Sequence, residues 1–372
     1  MKILYLAQRY DYGNPSNGLS FEHFNFYESL CAMGHDVIYF DYPSLVNELG
    51  RTKANQELEA ISLREEPEVL FGVVRGDQIS KRVIRRISFE TNTTTINWFC
   101  DDHWQFDRHA MNWTPCFNYV VTTSQRALRR YQEQNLSNVI KSQWGANHAL
   151  YRPIDGEPIY DVTFVGQPYG IRETAIDTLK RAGINVHAWG NGWPEGKLSQ
   201  EEMLRVFSRS RINLNFADAS SSNRTRLEVL TNSHAITSLR NKPFLWRLWS
   251  GGQKLAAWDK QRGGSETNVL PRQIKGRVFE VPACGGFLLT QPAENLHEYL
   301  RPSHECATFD SVDDLVERVR YYLKNELERR KIAQQGYQRT LAEHTYAARF
   351  AQIFEQAGVA QPLPHKLSRK AA

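Results

Sequence analysis

Cysteine is scarce in this 372-residue chain, and what there is does not cluster: Cys31, Cys100, Cys116, Cys284 and Cys306 are odd in number and no two form CxxC. A disulfide framework is thereby excluded, and free buried thiols in a reduced compartment are expected. Long apolar runs are missing too, since nothing approaches the roughly 18–20 residues a membrane span needs. The opening apolar run, 1–6, is too short for a secretory leader, and Gln8 and Arg9 follow at once. Strong charge of either sign is absent. Lys and Arg total 46 against 41 Asp and Glu, for a net charge of +5. Such a surface tolerates a phosphorylated ligand without being a nucleic-acid signature. His297, His304 and Cys306 lack useful metal spacing. The expectation is a cytoplasmic protein, at most peripheral to a membrane.

What is present is an alternation of strands and helices, twice over. An apolar strand at 3–7 leads into a polar loop with Gly13, Pro15 and Gly18. Residues 21–33 then place Phe24, Tyr27, Leu30 and Cys31 on one helical face, and Gly34 stops that helix. Strands follow at 36–42, 69–74, 94–100 and 119–123. Around Tyr151, Arg152 and Pro153 the pattern breaks, and it restarts with a strand at 162–165, a helix at 172–182 and strands at 184–189, 212–216 and 287–290. Ser199 to Glu202 reads as a capping box, and Ser311 caps a long helix running to about Gln335. This alternation predicts parallel sheets covered on both faces. The fold class is therefore α/β, with two Rossmann-like doubly wound parallel-sheet domains facing a cleft. The expected division is a first domain over 1–155, a second over 156–345, a closing helix over 346–360 and a disordered tail over 361–372. Residues 217–268 fit neither pattern; with Trp246, Trp249, Trp258 and several glycines they read as a long insertion or loop.

The most informative run is Gly276 to Thr290, which reads as a short helix carrying one acid, Glu280, then a glycine stop and a buried strand. An isolated carboxylate beside Lys275 and Arg277 suits the holding of a ribose next to a diphosphate. The plainer alternative is a solvated surface pair with Arg277. Arg172 opens its helix, where a cation opposes the dipole; it either covers the first turn or meets an anion. The run Trp98 to Trp104 follows a strand and belongs at the rim of the cleft. There Asp101, Asp102 or His103 can face a reacting hydroxyl, with His103 a base of ordinary pKa. Alternatively Asp101 caps the next turn and the aromatics pack.

These residues carry a resemblance. The second half resembles the sugar-nucleotide half of GT-B glycosyltransferases, the group-1 or family-4-like enzymes and their spore-protein CgeB-like relatives. The likeness rests on Phe164-Val165-Gly166, on Arg277 to Leu289 with its Ala283-Cys284-Gly285, and on His344-Thr345-Tyr346. The first half matches through its opening strand, the loop ending at Gly18, and Gly34-His35-Asp36-Val37. The resemblance implies a metal-independent, cofactor-free hexosyltransferase-type enzyme that moves a sugar from a nucleoside-diphosphate sugar, UDP-linked by preference. The acceptor hydroxyl is undefined: glycan, lipid-linked, polymer or nucleic acid. It assigns donor binding to Glu280, Arg172, Lys275, Arg277, Gly18, Gly166 and Gly285, and the acceptor side to Asp101, Asp102 and His103. The family's first acid, eight positions before Glu280, is Arg272 here, and Gln167 stands where an arginine is common. Two other readings remain open at this point. One is a single-domain GT-A-like transferase holding a metal on Asp101 and Asp102. The other is a nucleotide-sugar-binding protein without catalysis.

Overall fold

Residues 3–7 alternate between two apolar layers, because successive strand side chains point to opposite faces. Leu4 and Leu6 pack with Leu70, Ile84 and Tyr131 on one side, while Ile3, Tyr5 and Ala7 pack with Phe26, Phe71 and Trp98 on the other. A computed structural model describes residues 1–218 and 272–359. The expected insertion beyond Asp218, with its three tryptophans, and the expected disordered tail lie outside the described residues.

The first sheet contains β1 (Lys2–Leu6), β2 (Asp36–Phe40), β3 (Val69–Gly72), β4 (Thr94–Phe99), β5 (Tyr119–Thr122) and β6 (Val139–Lys141), all parallel. Their order is β2-β1-β3-β4-β5-β6. The second sheet contains β7 (Tyr160–Val165), β8 (Val186–Trp189), β9 (Ser210–Asn215), β10 (Leu288–Thr290) and β11 (Ala307–Thr308), again parallel, in the order β8-β7-β9-β10-β11. Each sheet thus reverses direction beside its first strand, at β1/β3 and at β7/β9. A crevice opens there beyond the carboxyl ends, where ligands of doubly wound sheets bind. With two complete sheets, the single-domain GT-A reading does not apply.

The chain passes between the domains twice, side by side. Ala146 donates to the His344 carbonyl at 2.9 Å, and Tyr346 donates back to Ala146 at 3.0 Å. A Cβ on Gly145 would come within 2.9 Å of that same His344 carbonyl, so only glycine fits the close approach. The returning helix Tyr346–Gln356 lays Tyr346, Phe350, Ile353 and Phe354, all at 0% exposure, on the first sheet rather than the second. Each fully buried Phe or Ile of that set contributes roughly 1.5–3 kcal/mol, so this helix fastens the domains together.

The capping box forms: Glu202 N–H donates to Ser199 Oγ at 3.2 Å and Ser199 N–H to Glu202 Oε2 at 2.8 Å. The single long helix expected after Ser311 is instead two, Val312–Lys324 and Glu326–Glu343. Asn325 divides them; its amide donates to the Tyr321 carbonyl at 2.8 Å, a side-chain bond that competes with helix continuation.

Candidate active site

The crevice of the second sheet is built around Arg172. Strand β7 ends at Val165, Gly166 and a polar turn follow, and Arg172 opens the helix Arg172–Arg181. Its guanidinium does not point to solvent. It donates to the Gln167 carbonyl at 3.0 Å and the Phe216 carbonyl at 3.3 Å, the two chain segments leaving β7 and β9. Tyr169 stacks 3.6 Å away and Phe164 lies 5.4 Å away. The side chain is buried, its Nε has no partner, and burial lowers its pKa. A buried cation without a carboxylate in contact favours an anion.

Lys275 lies beside it, and burial pulls its ammonium down to about 8; Arg172 adds to this, while Asp101 and Asp218 oppose it. Asp101 and His103 come from the first domain, just after β4, so they face Lys275 across the cleft. Burial takes the His103 imidazole down to about 3, with the Lys275 charge contributing. The ordinary pKa expected for His103 is therefore corrected: the ring is neutral at working pH and a weak base. Asp102 turns the other way. It accepts from Tyr131 at 3.3 Å inside the first domain, and burial raises its carboxyl to about 7. Asp101 and Asp102 thus share no site, and among the described residues no trio of His, Cys, Asp and Glu is placed to hold a metal.

Glu280 is fully buried on the helix Arg277–Ala283, not on the surface. One oxygen is paired with Arg277, and the other accepts from Asn25 of the first domain at 3.4 Å. Burial opposes the Arg277 charge, yet Glu280 and Tyr151 more than reverse that and hold its pKa up. Arg277 also reaches the Val165 carbonyl at the end of β7 at 3.5 Å. It therefore orients Glu280 and stands at the crevice edge.

Of the glycines, Gly285 has φ +71° and stops the helix, with its N–H on the Pro282 carbonyl at 2.8 Å. At Gly166 a Cβ would meet the Phe164 ring at 2.7 Å, so packing requires the glycine. Gly18, at φ +78° with open space around it, shapes the loop after β1. That loop spans the cleft: Tyr12 Oη accepts from Gln167 at 3.1 Å, and Asp11 pairs with Lys197 at 2.6 Å.

Four residues escaped the sequence reading. Asp218, three residues past β9, pairs with Arg272 at 3.3 Å; its signal was an acid at a strand's carboxyl end. Asn25 gave no signal, being one of several polar residues on its amphipathic helix. The pair Glu22 and Arg75 occupies the crevice of the first sheet, 2.5 Å apart.

The glycosyl transferase-like family matches residues 172–234 and 258–355 of the chain. No curated protein sequence matches. Among solved structures the chain is similar to sucrose-phosphate synthase of Thermosynechococcus elongatus, at 11% identity and a TM-score of 0.58, over 96% of this chain and 99% of that one. It is also similar to Anabaena HepE in complex with UDP and glucose, at 11% identity and a TM-score of 0.56, over 96% and 99%. A glycosyltransferase of Rickettsia africae gives 9% identity and 0.57, over 96% and 97%. At such identities these likenesses establish the fold. The family match lies in the second domain and spans less than half of the chain, while the likeness to the solved structures gives the fold across its whole length.

Proposed function

We propose that the protein moves a sugar from a nucleoside-diphosphate sugar, UDP-linked by preference, to an acceptor hydroxyl without a metal. The observation that carries this is the cation pair at the β7/β9 crevice: Arg172, held by two carbonyls and Tyr169 with no carboxylate in hydrogen-bond contact, and Lys275, half-buried beside it. Fixed charges of this kind stabilise a departing diphosphate without reorganising at the moment of reaction. Glu280, oriented by Arg277, takes the ribose. The UDP bound by HepE, a structure of the same fold, supports the choice of base.

The acceptor approaches from the first domain. The bond from the sugar carbon to the diphosphate oxygen breaks, and a bond to the acceptor oxygen forms. Asp101 is the carboxylate facing the cations and takes the acceptor's proton; neutral His103 orients the hydroxyl by hydrogen bonding. Arg272 occupies the place of the family's first acid, and Asp218, paired with it, supplies a carboxylate near the transferred sugar. The domains' closure excludes water from the activated sugar. Three free cysteines buried in the described fold suit work in a reducing compartment. Calorimetry with UDP and a panel of UDP-sugars tests the reading, followed by transfer assays. Full donor affinity in Glu280→Ala would overturn the ribose assignment, and turnover abolished by EDTA the metal-free chemistry.

A further inference from the structure

The carboxylate assigned to the ribose is not finished by its own domain. Arg277 occupies one oxygen of Glu280, and the amide of Asn25 reaches the other at 3.4 Å. Both residues are covered, at 0% and 1% exposure. The Tyr151 hydroxyl lies against the same amide, yet its remaining polar atom, Asn25 Oδ1, accepts no hydrogen bond of good geometry. A buried acceptor left unpaired is unfavourable, so a donor brought to this oxygen would be favoured there. Its orientation is set by the bond the NH2 group makes, because a carboxylate can only accept.

The backbone around Asn25 is unusual in a way that fixes this placement. The first-domain helix widens into a π turn at His23–Tyr27, a feature that often marks functional sites. Within it the Phe24 carbonyl accepts from Asn147 at 2.7 Å, tying the turn to the segment that leads into the second domain. On the far side, a Cβ on Gly276 would come within 3.4 Å of Glu280 Oε1 and 3.1 Å of the Phe21 ring. Glu280 Oε1 therefore lies in a seam made by both domains.

We propose that Asn25 completes the ribose site, so that a ribonucleotide's paired hydroxyls are read by Glu280 from one domain and Asn25 from the other. Glu280 can only accept, whereas Asn25 offers an acceptor that a ribose hydroxyl satisfies. Because the pair is covered in the closed form, the hydroxyls reach it when the domains part and are held when they close. Discrimination between ribo- and deoxyribonucleotides then belongs to the two-domain form alone. This proposal rests on the nucleotide-sugar reading above. The alternative is that Asn25 is only a tether between domains, which would weaken every nucleotide alike when removed.

The test is calorimetric titration of the full chain with UDP, 2′-deoxy-UDP and 3′-deoxy-UDP, for the wild type and for Asn25→Ala, Asn25→Ser and Glu280→Gln. The wild type should prefer UDP over at least one deoxy analogue by about tenfold, the worth of one lost hydrogen bond. Asn25→Ala should shrink that gap about fivefold while the affected analogue keeps its affinity within about twofold. Asn25→Ser, a smaller change that retains a polar atom, carries the test if the alanine variant fails to fold. An equal loss for all three ligands, or an unchanged gap, overturns the role of Asn25. If Glu280→Gln loses UDP while the Asn25 variants keep the gap, the donor reading stands and this proposal alone falls. A wild type that binds no nucleotide overturns both.

Discussion

The two sheets reverse at equivalent places, yet their crevices are electrically different. At β1/β3, Glu22 is 2% exposed and takes Arg75 at 2.5 Å and Gln8 at 3.2 Å. That crevice holds a buried acid and its cation, already neutralised. At β7/β9, Arg172 finds two carbonyls and Tyr169 but no carboxylate in hydrogen-bond contact, and Lys275 lies close by with its ammonium pulled down by burial. Topology supplies a crevice in both domains; the charge left over inside it decides which one takes an anion. One half-site is structural and the other is poised for a ligand.

The sharpest way to break this contrast is to remove one arginine from each crevice. Arg172→Ala should weaken UDP binding by about 100-fold, the worth of two charge-assisted hydrogen bonds, with a smaller fall in melting temperature. Arg75→Ala should do the reverse. It leaves Glu22 buried and unpaired, which costs about 2–4 kcal/mol of folding stability, while nucleotide affinity of the folded fraction stays within a few-fold. Calorimetry and denaturant titration on both variants decide the matter. If Arg75→Ala loses the nucleotide and Arg172→Ala does not, the assignment of the two crevices is inverted.

What could be read in advance was local. Helix starts at Arg172 and Ser199 follow from neighbouring residues, and strands such as β3 from short apolar runs between breakers. Glu280 stood out because one acid in an apolar block is visible in one dimension. The break at Asn325 was missed because an asparagine on a periodic helix gives no sign that its amide will turn back on Tyr321. Asp101 and Asp102 are adjacent, yet one faces the cleft and the other Tyr131. That difference depends on how a single short helix is seated, and no pattern records it. The Arg277 and Glu280 pairing was legible from its spacing, but the complete burial of Glu280 depends on Asn25 and Phe21, more than 250 residues away in the chain.

Asp102 supplies the next contrast, since its titration bears on folding rather than on ligand. Burial raises its carboxyl from 3.8 to about 7. The folded state therefore holds a proton that the unfolded state releases. Its contribution is fully present below the unfolded value and is lost as pH rises through about 7. Asp102→Asn should stabilise the protein by about 2 kcal/mol at pH 8 and hardly at all near pH 4. Thermal unfolding at several pH values measures this. A mutant equally stabilised at both ends would mean that the gain has nothing to do with the proton.

The smallest effect concerns Lys275, where the sign runs through the ligand. Its ammonium is lowered to about 8, so in the free protein it carries its proton below that value and sheds it above. The groups facing it are Asp101, Arg172, Asp218 and His103, and His103 is already neutral. A bound diphosphate favours the charged form, which raises the pKa in the complex. UDP affinity should then be level from pH 7 to about 8 and fall several-fold by about pH 9.5, the terminal phosphate being fully ionised across that range. Near pH 8 binding should also take up a fraction of a proton, visible as a dependence of the calorimetric heat on the buffer's ionisation enthalpy. Lys275→Met should flatten the affinity curve and abolish the uptake while lowering affinity throughout. If the curve falls as before in that variant, the titrating cation is elsewhere and the crevice is completed by a residue other than Lys275.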